Sequence, residues 1–272
     1  MISVITVCYN EEDHIEETIR SVYDQTFTDM EYIVKDGGSD DGTVKLVMDW
    51  ERRFREKGIP FTVITGRDDG IYDAMNQAAR IAKGEFVNYM NGGDVFLTPD
   101  VMERIFSGRD LSGTDLLYGD TVEEEFGELH YFRKCPELIE ERMPFSHQSV
   151  FVRRELLEKY PFRMEYSIAA DYDFLLTLHE NGYVFKDSGV AVAKVSKDGT
   201  SSLNLKDTYI ESLRLRKEHS LPVPEGAALK KKLIWLQMKQ FGMDHFPKGL
   251  KYMIRKVQRK IRGQKRYDNE TA

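Results

Sequence analysis

Short apolar segments alternate with segments of helical periodicity through the first 120 residues of the chain. The first segment, ISVITVC at residues 2–8, is rich in β-branched residues, as expected of a buried parallel strand. Four further segments of this kind lie at residues 30–36, 60–65, 85–90 and 115–120. Strands that alternate with helices favour right-handed crossovers. The sequence therefore predicts an α/β fold with a doubly wound, mostly parallel sheet.

Polar residues and glycines follow the first four of these strands. They are Tyr9 and Asn10, Asp36 to Gly38, Gly66 to Asp69, and Asn91 to Asp94. In an open α/β sheet, ligands bind beyond the carboxyl ends of the strands. We therefore expect these four segments to line one crevice.

The pattern is less regular after Gly119. Residues 123–135 are typical of a hairpin, and residues 168–182 of a helix that ends at Gly182. KDGTSS at residues 197–202 has the composition of a loop. Three helices are predicted towards the C-terminus, at about 205–218, 226–243 and 247–262. They would form a C-terminal helical extension.

Composition places the chain among ordinary globular proteins, with 41% hydrophobic and 31% charged residues. Its two cysteines are too few for a disulfide framework, which favours a reducing compartment. The N-terminus has no basic leader, and no stretch of about twenty residues is apolar enough to cross a bilayer. We therefore expect a cytoplasmic protein, free or held at the inner face of the membrane.

The net charge of −7 conceals an asymmetry. Residues 230–266 contain 13 lysines and arginines against one acid, whereas residues 1–229 carry a net charge of −17. Within residues 247–266, apolar residues follow helical spacing between the basic ones: Leu250, Met253, Ile254, Val257 and Ile261. A basic amphipathic helix of this kind is typical of segments that lie on anionic membranes. A solvated helical face, or packing on the body or on a second subunit, remains the alternative, and the acidic body gives no support to nucleic-acid binding.

Several motifs together resemble the family 2 inverting glycosyltransferases, which have the GT-A fold. They are ISVITVCYNEEDHIEETIRSVYDQTFTDMEYIVKDGGSDDGT, DDGIYDAMNQAARIAKGEFVNYMNGGDVF, SHQSVFVRREL and AADYDFLLTL. The resemblance covers roughly residues 1–200 and leaves the C-terminal extension outside. It implies a nucleotide-sugar donor, usually linked to UDP, in the predicted crevice.

The resemblance and the residue chemistry together suggest several donor contacts. Tyr9 can stack its ring on a flat base, and Asp36 can accept a hydrogen bond from the imide N–H of uracil. Asp69 is a candidate for the ribose or base, and His147 for a phosphate or the acceptor. The alternatives also stand: packing for Tyr9, turn chemistry for Asp36, a plain loop for Asp69 and a structural role for His147.

The family's metal ligands belong to an Asp-x-Asp motif after the fourth strand. Here the sequence is Asn91-Gly92-Gly93-Asp94, so that Asn91 and Gly93 replace the two motif acids and Asp94 remains. Mg²⁺ or Mn²⁺ is the expected cofactor, with Asp94 as ligand, Asn91 supplying an amide oxygen, and phosphates and waters completing the shell. Gly93 would let the backbone approach the diphosphate. A turn in which Asp94 acts as a cap is the alternative.

An inverting transfer also needs a base that takes the proton of the acceptor hydroxyl. The resemblance assigns this role to Asp171 in IAADYDFLL, with Asp173 as the second candidate. Acids two residues apart on a helix point to different sides, so only one is expected to face the crevice. An acid placed at a helix N-terminus for its interaction with the macrodipole is the alternative for Asp171.

The resulting hypothesis divides the chain into a nucleotide-sugar-binding half at 1–98, an acceptor-binding and catalytic half at 99–204, and a basic helical extension at 205–272. The protein would transfer a sugar with inversion to a hydroxyl of a glycan or polyprenyl-linked acceptor, in cell-surface polysaccharide synthesis. A homodimer stays open. Two other functions remain: a nucleotide-sugar-binding protein without catalysis, and a nucleotidyltransferase. The latter is disfavoured because the glycine-rich loop with a basic residue that it needs after the first strand is missing from VCYNEEDH.

Overall fold

The computed structural model describes residues 1–132, 134–196, 205–262 and 267. Its strands are β1 (Ile2–Cys8), β2 (Met30–Asp36), β3 (Phe61–Thr65), β4 (Phe86–Tyr89), β5 (Val95–Phe96), β6 (Leu116–Glu125), β7 (Glu128–Phe132), β8 (Val150–Arg153) and β9 (Phe185–Ser196). The helices of the first 200 residues are α1 (Ile15–Tyr23), α2 (Thr43–Met48), α3 (Glu51–Glu56), α4 (Ile71–Ala79), α5 (Val101–Phe106), α6 (Arg154–Lys159) and α7 (Ala170–Glu180). The helices of the extension are α8 (Leu205–Glu218), α9 (Gly226–His245) and α10 (Lys248–Arg262).

The described strands form one mixed sheet in the order β3-β2-β1-β4-β8-β6-β9-β5, with β7 paired to β6. The first four strands are parallel, as are β6 and β9. β8, β5 and β7 pair with their neighbours in the antiparallel direction. The predicted α/β fold with a mostly parallel sheet is confirmed, and the antiparallel strands β5, β7 and β8 all follow β4 in the chain.

Two local features differ from the sequence prediction. β5 lies directly after the Asn91–Asp94 segment, where no strand was predicted, and its two residues pair with β9. β6 runs five residues further than expected and continues into the predicted hairpin with β7. The segment KDGTSS lies outside the described residues.

Side chains on the two faces of the sheet enter two separate apolar layers. Ile5 and Val7 of β1 pack with α4, α6 and α7, whereas Val4 and Cys8 pack with α1, α2 and α5. This division follows the two-residue period of a strand. Because helices cover both faces, the carboxyl edge of the parallel strands is the place where loops can carry polar groups without disturbing the core.

α8 attaches the start of the extension to the body. Leu215 is fully buried in the layer that contains α7. His219 donates to Asp173 at 2.9 Å and to Glu180 at 2.8 Å, both on α7. Burial of His219 opposes its protonation, but the hydrogen bonds to these two carboxylates more than offset it and raise its pKa. Charged contacts at both ends of α7 therefore hold α8 in a defined position.

No helix within the described ranges is both long and apolar enough to cross a bilayer.

Candidate functional site

The four predicted polar segments lie side by side at the carboxyl edge of the parallel strands. The amide of Gly37 donates to the carbonyl of Cys8 at 2.9 Å, and that of Gly92 to the carbonyl of Val7 at 3.0 Å. The amide of Gly66 donates to the carbonyl of Asp36 at 3.2 Å. The loops thus continue the hydrogen bonding of the strands before they diverge, which brings their side chains to one rim.

Tyr9 presents its ring at this rim, with 61% of its surface exposed. The neighbouring Gly37 makes this position possible, since a Cβ there would lie 3.3 Å from Cδ2 of Tyr9 and 3.1 Å from Oδ2 of Asp68. An exposed ring beside a glycine loop offers a flat surface to a planar group.

Asp36, in contrast, is buried and organises its own turn. Its Oδ2 accepts hydrogen bonds from the amides of Gly38 at 2.9 Å and Ser39 at 3.1 Å, and its Oδ1 accepts one from the Ser39 hydroxyl. These contacts stabilise the turn after β2, which was the alternative role given to Asp36 in the sequence analysis. A carboxylate oxygen has two lone pairs, so a base could reach this group only through its remaining acceptor capacity.

The loop after β3 places its two acids differently. Asp69 is exposed, and its amide donates to Asp73 at 3.1 Å. Asp68 pairs with Nζ of Lys35 at 2.8 Å, and this ammonium also donates to the carbonyls of Asp36 and Gly66. Only 1% of the Lys35 side chain is exposed. Lys35 thus ties the loops after β2 and β3 together, a role that sequence reasoning missed although a lysine inside a buried strand is an unusual signal.

Asp171 lies in the first turn of α7 and faces the rim. Its Oδ2 is 3.2 Å from Nδ1 of His147, and its Oδ1 is 3.1 Å from the hydroxyl of Tyr72. The carboxylate retains 17% exposure. Burial, together with the nearby charge of Asp171, raises the pKa of Tyr72 well above its usual value, so this hydroxyl keeps its proton. The Asp171 carboxylate is therefore fixed by two hydrogen bonds and is still accessible to solvent.

His147 connects Asp171 to the segment after β4. Its Nε2 lies 3.0 Å from Nδ2 of Asn91, while Nδ1 faces Asp171. An amide nitrogen can only donate, so Nε2 accepts and Nδ1 carries the proton that is donated to Asp171. The two residues also line a small cavity with apolar walls, and a low local dielectric strengthens such hydrogen bonds.

Asp173 points away from the rim, as expected of the second acid in the pair. It is 3% exposed, and its Oδ1 accepts from Arg163 at 3.1 Å and from His219 at 2.9 Å. Asp173 therefore holds α8 against α7 and does not meet the crevice.

The Asn91–Asp94 segment forms a tight turn, in which the amide of Asp94 donates to the carbonyl of Asn91 at 3.0 Å. Gln148, another residue that sequence reasoning missed, donates to Oδ2 of Asp94 at 2.6 Å. Gly93 has a φ of +89° and open space where a side chain would be. The backbone here is consequently free to approach a ligand closely.

Oxygen atoms suited to a divalent cation are present in this turn, but few. Oδ1 of Asn91 is buried without a hydrogen-bond partner, and Asp94 supplies a carboxylate. Glu11 lies beside Gly92. Burial raises the pKa of Glu11, and repulsion from Asp94 and other acids raises it further, whereas the nearby His14 lowers it. Among the described residues, no group of three or more His, Cys, Asp or Glu side chains has the geometry of a metal site. The donor set fits a cation that draws most of its ligands from phosphates and water, as Mg²⁺ does.

A thiol nucleophile is not part of this site. Cys8 is buried, and burial together with the nearby charge of Asp36 raises its pKa to about 12, which keeps the thiol protonated.

The family model for "Glycosyl transferase family 2" matches residues 3–164, which include every strand-end loop of the rim and His147. The chain belongs to this family. It is therefore a glycosyltransferase by family, as its resemblance implied.

Among curated relatives, the chain is similar to a "PGL/p-HBAD biosynthesis glycosyltransferase" of Mycobacterium bovis. The two are 28% identical over 215 residues, which are 76% of this chain and 81% of the relative. An uncharacterized glycosyltransferase of Methanocaldococcus jannaschii is 26% identical over 200 residues, or 68% of this chain and 67% of the relative.

Solved structures share the GT-A-like fold. S. aureus TarS 1-349 in complex with UDP-GlcNAc superposes with a TM-score of 0.64 at 22% identity, covering 85% of this chain and 70% of TarS. The mannosyltransferase PcManGT from Pyrobaculum calidifontis, in complex with GDP-Man and Mn²⁺, gives a TM-score of 0.64 at 19% identity, covering 88% and 69%. The predicted family and fold are thus confirmed.

We expect Lys35→Met to lower the free energy of unfolding by about 3 kcal/mol, because it leaves Asp68 and two carbonyls without their buried cation. Urea unfolding measures this loss. The matched control is Lys45→Met, which removes an exposed pair with Asp49 and should change stability by less than about 0.5 kcal/mol. Equal losses in the two variants would contradict the role given to Lys35.

Proposed function

We propose that this protein transfers a sugar from a UDP-linked donor to a hydroxyl of a glycan or polyprenyl-linked acceptor, with inversion at the anomeric carbon and in the synthesis of cell-surface polysaccharide. The observation that carries the proposal is the hydrogen-bonded line Asp171–His147–Asn91, which joins an accessible carboxylate to the turn with Asp94. A base and a diphosphate-binding turn on one rim are what such a transfer requires.

In the proposed reaction, the acceptor oxygen attacks the anomeric carbon from the face opposite the leaving group. Asp171 takes the proton of the acceptor hydroxyl as the new carbon–oxygen bond forms. The bond between the anomeric carbon and the diphosphate breaks, and its electron pair leaves with the nucleoside diphosphate. His147 and Tyr72 hold the carboxylate while its charge is neutralised.

The donor would lie along the rim. Tyr9 would stack on the base, with Asp36 at the end of β2 and Asp69 in the loop after β3 beside the nucleoside. Gly93 leaves space for the diphosphate, and His147 is close enough to the turn to contact it. Asp94 and the unpaired Oδ1 of Asn91 would hold Mg²⁺ or Mn²⁺, which when bound offsets the negative charge of the leaving diphosphate.

Asp171→Asn tests the base. The amide cannot take a proton, so UDP release from UDP-sugars in the presence of Mg²⁺ or Mn²⁺ should fall about 10²- to 10⁴-fold, while UDP affinity stays near that of the wild type. The control is Asp173→Asn, which should lower the melting temperature through lost contacts with Arg163 and His219 but leave the turnover of folded protein close to normal. Normal turnover in Asp171→Asn would exclude it as the base. UDP-sugar binding without turnover in the wild type would favour a binding protein instead.

Asp94→Ala tests the metal site separately. Loss of its carboxylate should raise the metal concentration needed for half-maximal activity about 10- to 100-fold, with partial recovery at high metal. Asp100→Ala, which removes an exposed acid six residues away, should leave the metal titration unchanged. An unchanged titration in Asp94→Ala would show that Asp94 is not a ligand.

The C-terminal helices support attachment to an anionic membrane surface. Tyr252 of α10 donates to Glu128 at 3.1 Å and packs on Phe126, yet Met253 and Val257 remain 59% and 58% exposed. The α9 face with Ile234, Trp235, Met238 and Phe241 is also exposed. Lysines flank it, and Nζ of Lys232 lies 4.6 Å from the Trp235 ring. Apolar side chains bordered by lysines suit the boundary between headgroups and acyl chains. Residues 263–266 of the predicted membrane segment lie outside the described residues.

Membrane attachment predicts co-sedimentation with phosphatidylcholine vesicles that contain phosphatidylglycerol, but not with pure phosphatidylcholine, and release by high salt. Replacing Met253 and Val257, or Trp235 and Met238, with serine should weaken sedimentation. Replacing Met48 and Ile81, which are exposed apolar residues on the body, should not. If the wild type stays in the supernatant and forms a dimer by analytical ultracentrifugation, a second copy covers these faces instead.

A further inference from the structure

Glu211 on α8 reaches the segment that leads into α7. Its Oε1 accepts hydrogen bonds from the amide of Ser167 at 2.7 Å and from the Ser167 hydroxyl at 3.1 Å. Its Oε2 accepts from the amides of Ile168 and Ala169, each at 2.6 Å. One carboxylate of the C-terminal extension thus binds four donors of residues 167–169.

This arrangement supports the entry of a helix that has no cap from its own N-cap side chain. The first turn of any α-helix leaves backbone amides without partners, and a side chain at the N-cap position usually satisfies one of them. The N-cap of α7 is Ala169, which has no side chain for this purpose. Glu211 binds the amide of this N-cap residue and the amides of the two residues before it, with charge-assisted bonds and with its negative charge at the positive end of the helix dipole.

The segment that Glu211 holds also determines where the Asp171 carboxylate lies. Asp171 follows Ala169 by two residues. The carbonyl of Ile168 accepts from the Tyr72 hydroxyl at 2.7 Å, and the same hydroxyl lies 3.1 Å from Oδ1 of Asp171. A shift of residues 167–169 would therefore move both the start of α7 and the tyrosine contact of Asp171.

We propose that Glu211 is a positioning residue for Asp171, so that the C-terminal extension completes the active site although it lies outside the family match at residues 3–164. The inference rests on the proposed role of Asp171 as base. Glu211 touches neither donor nor acceptor in this proposal; it acts through the backbone of residues 167–169.

Contacts elsewhere keep α8 in place without Glu211. Leu215 is buried, His219 pairs with Asp173, and Glu218 accepts from Tyr166 at 2.7 Å and from Arg163 at 2.9 Å. Loss of the Glu211 carboxylate should therefore loosen the entry of α7 without releasing the helix.

The test compares Glu211→Ala and Glu211→Gln with Glu218→Gln, which alters an acid of the same helix that does not contact residues 167–169. Hydrogen–deuterium exchange of a peptide covering residues 165–175 and UDP release from UDP-sugars are measured for each, together with UDP affinity. Glu211→Ala should accelerate amide exchange and lower the turnover number about 10- to 100-fold, with little change in UDP affinity. Glu211→Gln, which keeps one acceptor oxygen, should give an intermediate turnover.

Glu218→Gln should retain slow exchange at residues 167–169 and near-normal turnover. Unchanged exchange or unchanged turnover in Glu211→Ala would overturn the proposal, as would an equal loss in Glu218→Gln. If the wild type itself releases no UDP, the proposed function fails, while the exchange data still decide whether Glu211 holds the entry of α7.

Discussion

The imidazole of His147 joins the two sides of the crevice, and the chemistry of the rim depends on its two hydrogen bonds. Nε2 accepts from Asn91 after β4, and Nδ1 donates to Asp171 on α7. β4 is one of the first four parallel strands, whereas α7 comes more than 80 residues later in the chain and packs on one face of the sheet. Because one ring contacts both, the turn that would face the diphosphate and the carboxylate that would take the proton are held in a fixed relation.

This hydrogen bonding gives a physical meaning to the asparagine at position 91. An acid there could not donate to Nε2, and it would compete with Asp171 for the charge of a protonated imidazole. The amide instead donates through Nδ2 and leaves Oδ1 buried without a partner. The segment has fewer acids than the family's Asp-x-Asp motif. Its asparagine amide instead fixes the His147 tautomer that carries its proton on Nδ1 and donates it to Asp171. The oxygen left over is the kind of ligand a hard cation accepts.

Sequence reasoning succeeded where local pattern determines structure. The continuous apolar run of β1 and the polar residues after each strand were sufficient to predict the edge of the sheet at which the polar loops meet. It failed where two residues far apart in the chain must meet. In the sequence, Asp68 and Asp69 are equivalent acids of one loop. Only the structure shows that Lys35, 33 positions earlier, pairs with Asp68. Asp171 and Asp173 likewise differ through their partners, since only the three-dimensional structure brings His219 to the second acid.

Sequence reasoning also missed the contact of Glu211, which crosses the predicted boundary between the body and the C-terminal extension. Composition separates the basic extension at 205–272 from the body, and nothing local marks an acid on α8 as a partner of residues 167–169. The distribution of charge along the chain also bears on the contact between the extension and α7. The body has a net charge of −17, so an anionic surface would repel it and attract the segment from 230 to 266. At physiological salt, screening limits this repulsion and this attraction to distances of about 8 Å. The protein would therefore approach an anionic surface with the face formed by the basic C-terminal helices. Since α8 contacts both α9 and α7, attachment would orient the protein through the same extension that binds the segment before Asp171.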